Sequence, residues 1–242
     1  MIEFIFMKMN GCKTWSALGA SAILLAAGFL PASQAQEKKD KVKPAGGIIG
    51  KILEKRKKAD MITAMNNSKQ LFFLMVEFDQ DFGSFPNDDT ANDDEDLKNY
   101  KGKHSNDYLG QFIAGGYTLS EEIFHAKGGS NTVKKPDNDI STKAKTLEAG
   151  ECGVAYVKGL STSDHSGKPL LLAPMTGKGF KFDPEPYNGK AIVLRIDGSV
   201  KIYQIDANGD VVLPNGKKLF EGGKDTVWGE KGLDAKSLLF PK

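Results

Sequence analysis

The apolar positions of this chain change period partway along it. From about Asp60 to Phe82 they recur at helical spacing. Ile62, Met65, Phe72, Met75 and Phe82 follow steps of three and seven, and Leu71, Leu74 and Phe78 widen the stripe. That pattern predicts a long amphipathic helix with a broad buried face. Lys69, Glu77 and Gln80 occupy its other side. The run Leu71-Phe72-Phe73-Leu74-Met75-Val76 is apolar all round, so it is expected to be the most buried part. Gly83 and Pro86 are the stop signals, a glycine that frees the backbone and a proline that forbids continuation.

Residues 87–105 crowd Asp88, Asp89, Asp93, Asp94, Glu95 and Asp96 among few apolar neighbours, which predicts a solvated acidic loop. Its spacing matches no defined calcium loop. Two short helices are expected next: Asp107 to Ile113 capped by Asn106, and one capped by Ser120 with Glu121 and Glu122 in its first turn. Residues 130–150 read as an exposed excursion. From Gly153 the pattern turns to strands. Val154–Val157 and Pro169–Pro174 are short extended candidates, and Ala191–Ile196 and Ser199–Ile205 flank Asp197-Gly198. Asp-Gly between β-branched runs predicts a two-residue hairpin whose two turn positions both take positive φ. Asn208-Gly209 and Asn215-Gly216 repeat the turn chemistry around Val211–Leu213 and Lys218–Phe220. The expectation is a C-terminal antiparallel meander.

The chain ahead of the helix bears on where it works. Lys8 and Lys13 precede the apolar run Ala22–Leu30, Pro31 breaks it, and Ser33-Gln34-Ala35 supplies small side chains. These features predict a Sec signal peptide over 1–35, cleaved after Ala35, with Met7 or Met9 as alternative starts. The run is shorter than the roughly 20 apolar residues of a spanning helix, so no transmembrane segment is expected in the mature chain. Residues 36–59 read as a basic linker or helix extension. Lys38, Lys39, Lys41 and Lys43 precede Gly46-Gly47, and Ile48–Leu53 leads into Glu54-Lys55-Arg56-Lys57-Lys58. Such a segment is a solvated helix face or a contact for an anionic surface. Residues 60–242 are expected to form one α+β domain.

Composition adds little chemistry. The chain has 33 basic and 31 acidic residues, a formal charge of +2, and 40% hydrophobic content, enough for a core. That balance gives no reason to expect nucleic acid as a partner. Of two cysteines, Cys12 lies in the leader, so Cys152 has no internal disulfide partner in the mature chain. Pairing of Cys152 with another chain and a Cys152–His165 nucleophile and base are the reactive readings; a small core hydrophobe is the simpler one. His104, His125 and His165 form no zinc spacing. Asp206-Ala207-Asn208-Gly209-Asp210 lacks the full ligand set of a calcium loop and reads as a turn. No catalytic, cofactor-binding or metal-ligating residue is therefore expected, and no cofactor.

The helix exit Phe78-Asp79-Gln80-Asp81-Phe82-Gly83-Ser84-Phe85-Pro86 resembles that of type IV pilin-like proteins, especially the major pseudopilins of type II secretion. The resemblance covers Asp60–Pro86 and, in outline, the later strands. It implies a long N-terminal α-helix packed on a C-terminal antiparallel β-meander, with short helices and loops between. The chain departs from the family pattern in lacking a prepilin cleavage site and a membrane-length apolar helix half. The resemblance thus implies a secreted, non-enzymatic structural or interaction protein of the periplasm, outer surface or extracellular space. Its expected partners are cell-envelope, pilus or secretion proteins, with possible self-association. The alternatives are a secreted binding module for a glycan or host protein, with Trp228, Tyr187 and Tyr203 exposed on one face, and an unrecognised secreted hydrolase using Cys152 or the acidic loop.

Overall fold

The computed structural model describes residues 47–128 and 134–242. The expected leader, its cleavage point and the start of the basic linker lie outside the described residues. Helix α1 spans Ile48–Phe82, 35 residues, so the segment from Ile48 onward extends the long helix. Its C-terminus behaves as the glycine demands: Gly83 adopts φ 74° and its N–H donates to the Asp79 carbonyl at 2.7 Å.

The buried seam of α1 follows the expected stripe at Leu71, Met75 and Phe78, with Met65, Phe72, Leu74 and Phe82 packed against the core, and departs from it toward the N-terminus. Met61, Ala64, Ser68, Leu71, Met75 and Phe78 are the buried positions, at alternating steps of three and four. Ile62 is 47% exposed and Phe73 is 70% exposed, in the middle of the run expected to be most buried. Ala64 and Ser68 carry the difference. Their small side chains let another element approach closely, and the Ser68 hydroxyl is satisfied by the Ala64 carbonyl at 2.8 Å. The neighbouring Asn67 amide donates to the carbonyls of Glu122 and His125 at 2.9 and 3.0 Å, which docks a 3-10 turn at Glu122–Phe124 on the middle of α1.

The sheet has five antiparallel strands: β1 Ala155–Val157, β2 Pro169–Ala173, β3 Lys190–Arg195, β4 Val200–Gln204 and β5 Leu238–Leu239. Their order is β4-β3-β2-β1-β5. Helix α1 packs against β3 and β4 as well as the 3-10 turn. Strand β2 is buried along its whole length and β3 at all but its end residues, so both strands are covered on both faces. The expected strands at Val211–Leu213 and Lys218–Phe220 are absent. Only single bridges, Ile205 with Val211 and Val212 with Lys218, join these segments. The hairpin at Asp197-Gly198 also differs. Gly198 alone has positive φ (75°), and the turn closes through the Gly198 N–H to Arg195 and the Arg195 N–H to Ser199, both 3.0 Å. This is a three-residue loop with a left-handed glycine at its end, which suits the strand twist equally well.

The acidic region holds a helix. Helix α2, Asp88–Asp93, starts in a capping box: Asn87 Oδ1 accepts from the N–H groups of Asp89 and Thr90, and Thr90 Oγ1 accepts from the Asn87 N–H at 2.9 Å. Asp88 and Asp89 sit in its first turn, where negative charge is favourable. The expected helix after Asn106 is broken into α3, Ser105–Leu109, and α4, Gln111–Ala114, and its N-cap is His104, not Asn106. Buried Gln111 ties these pieces together. Its amide donates to the carbonyls of Asn87 and Tyr100, and its oxygen accepts from Thr90 Oγ1 at 2.7 Å. The described part of the expected excursion, from Lys134, is only partly exposed, because Thr146 and Leu147 are buried.

Two substitutions test this packing. Leu71→Ala should cost about 2–5 kcal/mol in urea unfolding, whereas Phe73→Ala should stay within about 0.5 kcal/mol. A Cβ at Gly198 would lie 2.6 Å from the Phe72 ring and would also meet positive φ. Gly198→Ala should therefore destabilise by roughly 1–3 kcal/mol, with part of the loss recovered when Phe72 is also shortened to leucine.

Candidate functional site

The helix exit that carries the family resemblance is a packed aromatic knot. Phe78 is fully buried, stacks on Phe82 at 4.5 Å and meets Phe112 edge-on at 5.3 Å and Tyr117 at 5.2 Å. Phe85 is buried, with its N–H donating to the Leu160 carbonyl, and the Tyr156 hydroxyl donates to the Pro86 carbonyl at 2.8 Å. Asp79 receives the Thr162 N–H and hydroxyl, and Asp81 receives the Tyr117 hydroxyl. The motif thus anchors the helix end to β1 and the loop after it. Its acidic side chains serve this anchoring.

The outer face of α1 is different. At about 100° per residue, Ile48, Ile52, Ile62 and Phe73 fall within roughly 80° of arc. Ile48 is 79% and Ile52 49% exposed, so with Ile62 and Phe73 they are exposed apolar side chains on one face, interspersed with Lys55, Asn66 and Gln70. Ile49 and Leu53 are exposed on the opposite side of its first turns. Around them stand Lys51, Lys55, Arg56, Lys57 and Lys58 against the single Glu54. Cover begins only where Glu54, Lys57, Lys58 and Met61 meet Tyr187, Asn188 and Lys190 across a shallow depression. No described helix is long and apolar enough to cross a membrane.

The residues weighed for catalysis sit in structural roles. Cys152 is fully buried, with its thiol near Ser105 Oγ at 3.9 Å and the Val154 carbonyl at 3.7 Å. Burial pushes it up to about 11, so it stays a thiol at neutral pH and lies out of reach of a second chain. His165 accepts from the Gly167 N–H, and His125 pairs its ring with the Glu151 carbonyl. Tyr187 is buried, Tyr203 is half-buried against Arg195, and half-buried Trp228 donates to the Leu219 carbonyl at 2.8 Å. These three aromatics therefore do not form one exposed face. Asp206 folds its carboxylate onto the N–H groups of Asn208 and Asp210, as the turn reading expects, and Asp210 lies between Lys181 and Lys218 at 2.8 Å each. That pair borders a pocket of about 470 Å³ lined by Phe180, Val211, Leu219 and Phe220. Asp88 of the acidic region pairs with Lys158 and Tyr108. Burial pushes its carboxyl up, but those hydrogen bonds outweigh burial and hold it below the usual range.

The chain also gathers carboxylates that are far apart in sequence. Glu121, Asp137 and Glu151 place one oxygen each within 4.8 Å of the others, and Glu121 and Glu151 are fully buried. Among the described residues this is the one such group that could hold a metal ion. Lys134 lies beside it, 2.9 Å from Glu151 and 3.5 Å from Asp137, and also pairs with Glu148. Spacings of 16 and 14 residues give no sequence signal for this group, and Glu121 reads naturally as a helix-start carboxylate.

No family model, curated protein or solved structure matches the chain. The shared ground with the expectation is an α+β protein with a long N-terminal helix and an antiparallel five-stranded sheet.

The carboxylate group gives a pH prediction. Burial, with Glu151 nearby, raises the Glu121 carboxyl above its ordinary 4.5, despite hydrogen bonds from the backbone N–H groups of Leu147 and Asn138. The folded protein holds this proton more tightly than the unfolded chain. The stabilisation is present below 4.5 and is lost as pH rises through the folded-state value. In metal-free buffer, Glu121→Gln should therefore gain stability relative to wild type on going from pH 4 to pH 7, measured by urea unfolding at each pH.

Proposed function

We propose that this is an exported, non-enzymatic, pilin-like protein that acts as a structural or interaction component at the cell envelope, beside a type IV pilus or type II secretion apparatus. The observation that carries the reading is the division of labour within α1. Its inner seam is buried against the sheet, while its outer face offers Ile48, Ile52, Ile62 and Phe73 to solvent. Exposed apolar side chains that share one face of an ordered helix are suited to contact with another protein or a second copy. The aromatic helix exit, packed on the following strands, agrees with the pilin-like build. Cys152 is buried and Asp88 of the acidic region is paired with Lys158 and Tyr108, which favours a contact protein over a reaction centre. Export rests on the leader pattern of residues 1–35.

Affinity capture from the native envelope tests the reading. Wild-type protein should retain envelope or secretion components, or self-associate, and Ile62→Asp with Phe73→Asp should reduce that retention several-fold. Because both positions are exposed, unfolding midpoints should change little. Equal retention by wild type and the double variant, or no envelope component in either, would contradict the proposal.

A further inference from the structure

We propose that Glu121, Asp137 and Glu151 form a binding site for a hard divalent cation of the calcium type. The three carboxylates share one construction. Each has an oxygen tied to a backbone N–H: Glu121 Oε1 to Leu147 at 2.6 Å, Asp137 Oδ1 to Asp139 at 2.9 Å, and Glu151 Oε2 to Glu148 at 2.7 Å. These bonds orient the carboxylates and leave a second oxygen on each for a common guest, as second-sphere contacts do in metal sites. The independent sign is Glu121 Oε2. It is fully buried and has no hydrogen-bond partner among the described residues, although burying an unpartnered carboxylate oxygen is costly. Glu151 Oε1 is in the same condition except for its ion pair with Lys134.

Lys134 shows that the place attracts positive charge, but one ammonium leaves Glu121 Oε2 unserved. Its Nζ makes a closer contact with Glu148, so a cation entering between the three carboxylates leaves Lys134 a partner. An all-oxygen set favours calcium, magnesium or manganese over zinc or copper. Irregular ligands drawn from a 3-10 turn and two loops favour calcium over magnesium, which demands near-octahedral geometry. Half-exposed Asp137 leaves an entry path from solvent. A bound ion would join the 3-10 turn docked on α1 to the segments around Asp137 and Glu151.

The test is calorimetric titration of calcium chloride into chelator-treated protein, with thermal unfolding alongside and magnesium chloride as the comparison. Wild type should bind one calcium with Kd no weaker than the order of 1 mM, in the range of extracellular sites, and its Tm should rise. Asp137→Asn, at an exposed position, should weaken binding about tenfold or more, reflecting the lost ligand charge. Lys134→Ala should tighten it by removing the competing ammonium, and calcium should restore whatever stability that variant loses. Absence of heat and of a Tm shift at millimolar calcium would overturn the proposal. So would equal affinity in wild type, Asp137→Asn and Lys134→Ala. A Lys134→Ala protein that is destabilised and not rescued would assign Lys134 alone as the counter-ion.

Discussion

The architecture depends on one line of contacts, the inner seam of α1. Leu71, Met75 and Phe78 lose all contact with water, and each such burial is worth about 1.5–3 kcal/mol. Ala64 and Ser68 extend the seam toward the N-terminus without bulk, so the 3-10 turn can lie close enough for Asn67 to bond two of its carbonyls. The sheet and the irregular segment before it are thereby held to the same rod. The consequence for function is that the rod's other face stays uncommitted.

The C-terminal end of the rod is secured by a different means. Gly83 turns the chain, Phe78 and Phe82 stack, and Phe85 and Pro86 deliver the backbone to Leu160 and Tyr156. Beyond it, Gln111 satisfies two carbonyls and a hydroxyl, and the chain end is pinned by Lys242 to Asn106 and Asp107. Each buried polar group here replaces water with a specific partner, which sets the relative placement of α2, α3 and α4 more sharply than apolar contact alone could.

The long helix, its glycine stop and the four longer strands were readable from period and turn chemistry. So was the broad inner face of the helix, where Leu71, Met75 and Phe78 are buried and Met65, Phe72, Leu74 and Phe82 pack against the core. Its N-terminal part was not: counting large apolar residues selected Ile62, whereas the seam there runs through Ala64 and Ser68, which carry little hydrophobic weight. Phe73 shows the converse: a large ring in an apolar run that the fold leaves outside. The capping box at Asn87 and Thr90 was hidden within a stretch whose acidity suggested a loop. Val211–Leu213 and Lys218–Phe220 have strand-like side chains but make only single bridges, because tertiary packing overrode local propensity. The Glu121, Asp137 and Glu151 group could not be read at all, since the fold alone brings these positions together.

Helix α1 is a locked spine from Met61 onward and a largely exposed arm before it. Native-state hydrogen exchange along the helix measures this directly. The account predicts that amides of residues 61–82 exchange only through global unfolding, with the free energy of the whole domain, while those of residues 48–58 open locally at far lower cost. Equal protection along both halves, or weak protection across Leu71–Phe78, would contradict it.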